Sequence, residues 1–219
     1  MATGAPQTFR LPLILLAAVN LAALGLLLWP WQEALILPVG GSSAIDPAVT
    51  LLAYMGLLYW ISSGIHETTR KALSAGAEIG LTAGLVLVLR VLLAARPGVL
   101  PIYVQPGLMG VAVILCGVAG LRGSKVGGSI GMGALSGLWC AMAGSLMAAA
   151  AILMELYFAG PIQPSTDSWK QYQGLAIGNT ATQGLVHSLN SATAFLLLGP
   201  LAGSAIGLIF AFFAQNQQT

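Results

Sequence analysis

The chain has 219 residues, of which 57% are hydrophobic and only 6% charged. A water-soluble domain has about a quarter of its residues charged, so this composition excludes an ordinary soluble domain and makes the lipid bilayer the expected solvent. The formal net charge is +2 with no basic patch, which excludes a nucleic-acid binder as well.

A membrane helix needs about 20 mostly apolar residues, because the rise is about 1.5 Å per residue and the hydrocarbon core is about 30 Å thick. The first such run covers residues 11–29 and follows Arg10. It is too long for the apolar core of a signal peptide. It also ends in Trp29-Pro30-Trp31 rather than in the small residues a signal peptidase requires, so we expect a retained helix. The second run covers residues 47–65, after a stretch of turn formers that includes Pro38, Gly40 and Gly41. The third covers 77–95 and the fourth 100–121, with Pro106 early in it. The fifth, 129–158, exceeds the length of a span and should tilt or project. The sixth covers 185–213 and contains Pro200.

These runs are continuous rather than alternating, which favours helices over a β-barrel. The expected fold is an all-α integral membrane protein, a single domain over residues 1–219 built as a bundle of about six helices. Proline lacks the backbone donor and clashes with the carbonyl four residues earlier, here Leu196, so the last helix should be kinked or broken at Pro200. Helices in lipid pack through small residues spaced four apart. Gly80 and Gly84, Gly133 and Gly137, and Gly199, Gly203 and Gly207 fit that rule. Their faces would serve packing within the chain or against a second copy.

Lysine and arginine mark the cytoplasmic side. With six spans, Arg10, Arg70, Lys71, Arg122 and Lys125 all fall on one side. Glu33, Asp46, Arg96, Asp167 and Lys170 fall on the other. We therefore expect a bacterial inner-membrane protein with both termini in the cytoplasm. Trp29, Trp31, Tyr103, Tyr157 and Trp169 would form the outer aromatic belt, with Tyr59 and Trp60 at the inner boundary.

Ionisable groups inside spans are the first functional candidates, since a charge in lipid costs a few kcal/mol or more. Arg90 and Glu155 qualify, both near the outer ends of their spans. Each could reach the interface, the two could pair, or they could relay a proton or substrate. Glu78 is expected as a helix-end charge beside Arg70 and Lys71. Asn179, Gln183, His187 and Asn190 recur at spacings of three or four and form a polar stripe at the start of the sixth span. That stripe should face the bundle or an outer vestibule, either bonding helices together or lining a polar path. Asn20, midway along the first span, has the same two readings.

Cys116 and Cys140 make no zinc spacing and read as small packing residues. Gly123 to Gly128 reads as a connector; it lacks the Lys-Ser/Thr of a phosphate loop. No catalytic motif, metal set or cofactor site is expected, so the chain reads as a non-enzyme. Its partners are the bilayer and either other membrane subunits or itself. The leading expectation is a structural or accessory subunit of a membrane complex. The alternative is a small transporter or channel with a polar outer vestibule.

Overall fold

The computed structural model describes residues 10–29, 38–63, 66–94, 103–159 and 180–216. They form six helices: α1 Arg10–Leu28, α2 Pro38–Ser63, α3 Glu67–Ala94, α4 Val104–Gly127, α5 Ile130–Ala159 and α6 Thr180–Asn216. Among the described residues, four stretches are long and apolar enough to cross a membrane: Glu67–Ala94, Val104–Gly127, Ile130–Phe158 and Gly184–Asn216. Pro12–Leu28 and Ile45–Trp60 are shorter apolar helical stretches. The all-helical architecture is compatible with a membrane bundle. Glu33, Arg96, Asp167, Lys170, Trp31 and Trp169 lie outside the described residues.

Hydropathy misplaces several helix ends because caps and side-chain pairs set them. The turn formers Pro38, Gly40 and Gly41 belong to the first turns of α2. Proline suits the first helical position, where its missing N–H has no partner to lose. Further along, Pro47 sits inside α2, with Thr50 Oγ1 donating to the Asp46 carbonyl at 2.7 Å. The start of α3 is polar. There Lys71 pairs with Glu67 at 3.0 Å, one turn apart, and an acidic residue favours a helix N-terminus. Glu78 therefore lies about three turns inside α3, not at its N-terminus as expected.

Gly123 to Gly128 is also not a loop. α4 runs to Gly127, and Gly128 closes it at φ 68°, donating its N–H to the Ser124 carbonyl at 2.8 Å. That left-handed position is the one glycine adopts without strain. Ser129 Oγ then accepts the Met132 N–H at 3.3 Å at the start of α5, so the α4–α5 hairpin is tight.

α6 is not broken at Pro200; it is a single 37-residue helix through that position. The carbonyl that proline leaves without its helical donor, Leu196 O, instead accepts the hydroxyl of Tyr54 from α2 at 2.5 Å.

α5 is the central helix. Gly76, Gly80 and Gly84 of α3 abut Ser136, Cys140 and Met147 in order, so α3 and α5 run parallel. Gly207, Gly203 and Gly199 of α6 abut Gly133, Gly137 and Ser145, so α6 runs antiparallel to α5. A β-carbon on Gly80 would lie 2.6 Å from the Cys140 carbonyl oxygen, and one on Gly203 would lie 2.6 Å from that of Gly137. Only glycine permits such approaches. In lipid, the close approach yields dispersion contact that the hydrophobic effect does not supply. The glycine faces of α3 and α6 are thus both occupied within the chain, on two sides of α5.

Trp139 of α5 is fully buried, in an apolar cluster with Leu13, Leu51, Leu73, Met142, Leu146 and Leu196. Besides the Tyr54–Leu196 bond, two polar bonds pin helices across this core. Ser136 Oγ donates to the Ala72 carbonyl at 3.0 Å. Asn20 Nδ2 of α1 donates to its own Leu16 carbonyl at 2.8 Å and to the Leu146 carbonyl of α5 at 3.2 Å. Trp29, Tyr103 and Tyr157 are exposed, as are Tyr59 and Trp60 in the last turns of α2.

Candidate functional site

α3, α4, α5 and α6 enclose a cavity of about 60 Å³. Its walls are apolar apart from Ser145: Leu87 and Ala83 on α3, Ala112 and Cys116 on α4, Phe195 and Ile206 on α6. Met109 and Val113 of α4 and Ala202 of α6 also line it, and all three are exposed, so the cavity opens sideways between α4 and α6. Its lining residues on α6 run from Phe195 to Ile206. It is a lateral slot, not an axial pore. Cys116 and Cys140 are free, buried thiols in the apolar cluster beside it.

Arg90 stands at the end of this slot. Its guanidinium carbon lies 5.7 Å from the centroid of the Phe195 ring, a cation–π geometry. Its Nε is buried with no hydrogen-bond partner. Arg90 follows Leu87 of the slot wall by one turn of α3, toward the Ala94 end. The parallel register of α3 and α5 brings Arg90 and half-buried Glu155 to neighbouring levels, about one turn apart.

Two residues of the α6 polar stripe have described side chains. His187 is half-buried and Asn190 is exposed. Leu185, Leu189 and Leu196 occupy the inward face, so the His187–Asn190 edge is turned outward. Asn179 and the side chain of Gln183 lie outside the described residues.

A second polar stripe lies on the outward side of α3. Ser74, Glu78 and Thr82 follow one another at spacings of four on α3, with Glu78 and Thr82 exposed. Ser74 Oγ donates to Glu78 Oε1 at 3.4 Å, and Thr82 Oγ1 donates to the Glu78 carbonyl at 3.5 Å. The spacing of four is legible in the sequence, where the nearness of Glu78 to Arg70 and Lys71 points instead to a helix-end charge.

His66 and Glu67 are exposed at the start of α3, and the His66 carbonyl accepts the Arg70 N–H at 3.1 Å, which makes them helix-end residues. Among the described residues no three His, Cys, Asp or Glu side chains gather as a metal-binding set. Comparison with protein-family models, curated proteins and solved structures finds no match for this chain.

Proposed function

We propose that this protein is an integral membrane subunit whose partner covers the Ser74–Glu78–Thr82 face of α3. The observation that carries this is a carboxylate exposed on the flank of an apolar helix long enough to span a bilayer. Facing lipid, that group would incur a desolvation cost of a few kcal/mol. A partner helix carrying a cation, hydroxyl or amide at that depth removes the cost by pairing with it. The outward Asn190 supports the same reading from α6. The apolar lining of the slot counts against a path for a polar solute, and hence against the transporter alternative. The chain acts by assembly, without catalysis of its own.

In this reading all six helices span the membrane, with α6 bending at Pro200. The first residues of α1, the α2–α3 connection and the α4–α5 hairpin lie in the cytoplasm, as do both termini. Arg10, Arg70, Lys71, Arg122 and Lys125 support this orientation, and with it a bacterial inner membrane. Photocrosslinking tests the subunit reading, with a photoreactive residue at Thr82 or, as control, at Leu92. Thr82 should give one defined protein adduct in native membranes, either a second copy of this chain or a different subunit. Lipid adducts alone at Thr82 would sink the subunit reading.

A further inference from the structure

The geometry points to a binding site for an anionic glycerophospholipid, with a few methylenes of one acyl chain seated in the slot between α4 and α6, the rest of the chain along its open side, and its phosphate on Arg90. The site rests on the bilayer reading of the chain. Four features converge on it. The slot is apolar and opens sideways, through Met109, Val113 and Ala202, into the surroundings of the helices. In a bilayer those surroundings are hydrocarbon, which wets an apolar recess as water cannot. Its lining follows α6 from Phe195 through Gly199 and Gly203 to Ile206, so the recess runs along the helix and suits a segment of an extended chain laid in from the side. A cation, Arg90, stands one turn beyond Leu87 toward the end of α3.

That order is the order of a lipid in its leaflet: headgroup toward the interface, tail toward the midplane. Phe195 joins the two parts, because its ring lines the slot and also carries the Arg90 guanidinium. The unpartnered buried Nε of Arg90 leaves a donor for which an anionic oxygen is the natural acceptor. Guanidinium matches phosphate through several N–H donors in a planar fork, so a phosphate is preferred over a neutral headgroup. A zwitterionic lipid offers the same phosphate, but its own ammonium competes with Arg90 for it.

The test uses the full chain, purified in a mild maltoside detergent and stripped of endogenous lipid. Phosphatidylglycerol, phosphatidylcholine and oleate are added back separately, with thermal stability and native mass spectrometry as readouts. Phosphatidylglycerol should stabilise at about tenfold lower concentration than phosphatidylcholine, as one charge-assisted contact implies. Arg90→Gln should erase that preference. Ala202→Phe, at an exposed position where bulk is tolerated, should fill the slot and reduce the shift with phosphatidylglycerol. Equal responses to the two phospholipids, or a preference retained in Arg90→Gln, would overturn the site. A response to oleate matching that to phosphatidylglycerol would overturn the phospholipid assignment. The bilayer reading fails separately, if alkaline carbonate extracts the chain from vesicles.

Discussion

The Tyr54 hydroxyl of α2 donates to the Leu196 carbonyl of α6 at 2.5 Å, and Leu196 is the residue whose helical donor Pro200 removes. In water a freed carbonyl finds solvent. In lipid it must find protein, or cost several kcal/mol. A helix four positions away in the chain order supplies the donor, and α6 continues through its proline.

Tyr54→Phe should therefore destabilise the bundle by about 1–3 kcal/mol, the cost of an orphaned buried acceptor. In a Pro200→Ala background the helix recovers its own N–H donor, and the same change should cost much less. A double-mutant cycle on unfolding in detergent reads the difference. Equal costs in the two backgrounds would mean that the hydroxyl does not serve the proline gap.

Glycine substitutions should separate by neighbour rather than by motif. Gly137→Leu and Gly203→Leu force α5 and α6 apart and should cost about 1–3 kcal/mol or more by overpacking. Gly56→Leu and Gly110→Leu should be close to neutral, because nothing lies within 4 Å of a β-carbon at either position. Thermal unfolding in detergent ranks the four variants. A loss at Gly110 as large as that at Gly137 would contradict the packing around α5.

Asn20→Leu removes the bond from α1 to the Leu146 carbonyl. Inter-helix side-chain bonds in membranes are worth about 0.6 kcal/mol on average and up to about 2 kcal/mol. The variant should lose stability within that range and detach α1 first. Limited proteolysis after Arg10 should then accelerate relative to cleavage at the α4–α5 hairpin; unchanged relative rates would show that α1 is held by its apolar face alone.

Topology follows from the hairpin and the aromatic end of the bundle. Ser129→Cys, exposed between α4 and α5, should react with a membrane-impermeant maleimide only after permeabilisation. Tyr103→Cys, at the opposite end of α4, should react on intact cells. The native thiols Cys116 and Cys140 are buried and should stay silent. Reversed labelling would invert the orientation proposed from Lys and Arg.

Composition and apolar run length alone fix the all-helical class and the rough positions of the helices. Apolar run length is a one-dimensional property, and a bilayer reads it almost directly. The sequence also marked Leu196 as the carbonyl at risk, because proline's effect four residues back is local covalent geometry. Helix ends were less legible: α2 starts early at Pro38, α3 at Glu67, and α4 runs on to Gly127, each set by a cap or pair that hydropathy ignores. What each side chain touches is set by the packing of the helices. Arg90 lies over the Phe195 ring, at the end of a slot built by four helices, a contact that no spacing in the sequence marks. The packing also decided that Gly203 faces Gly137 within one chain and that Asn190 turns outward. Periodicity shows which residues share a helix face. What that face meets depends on the rotation and neighbours of every other helix, and those are settled only when the helices pack together.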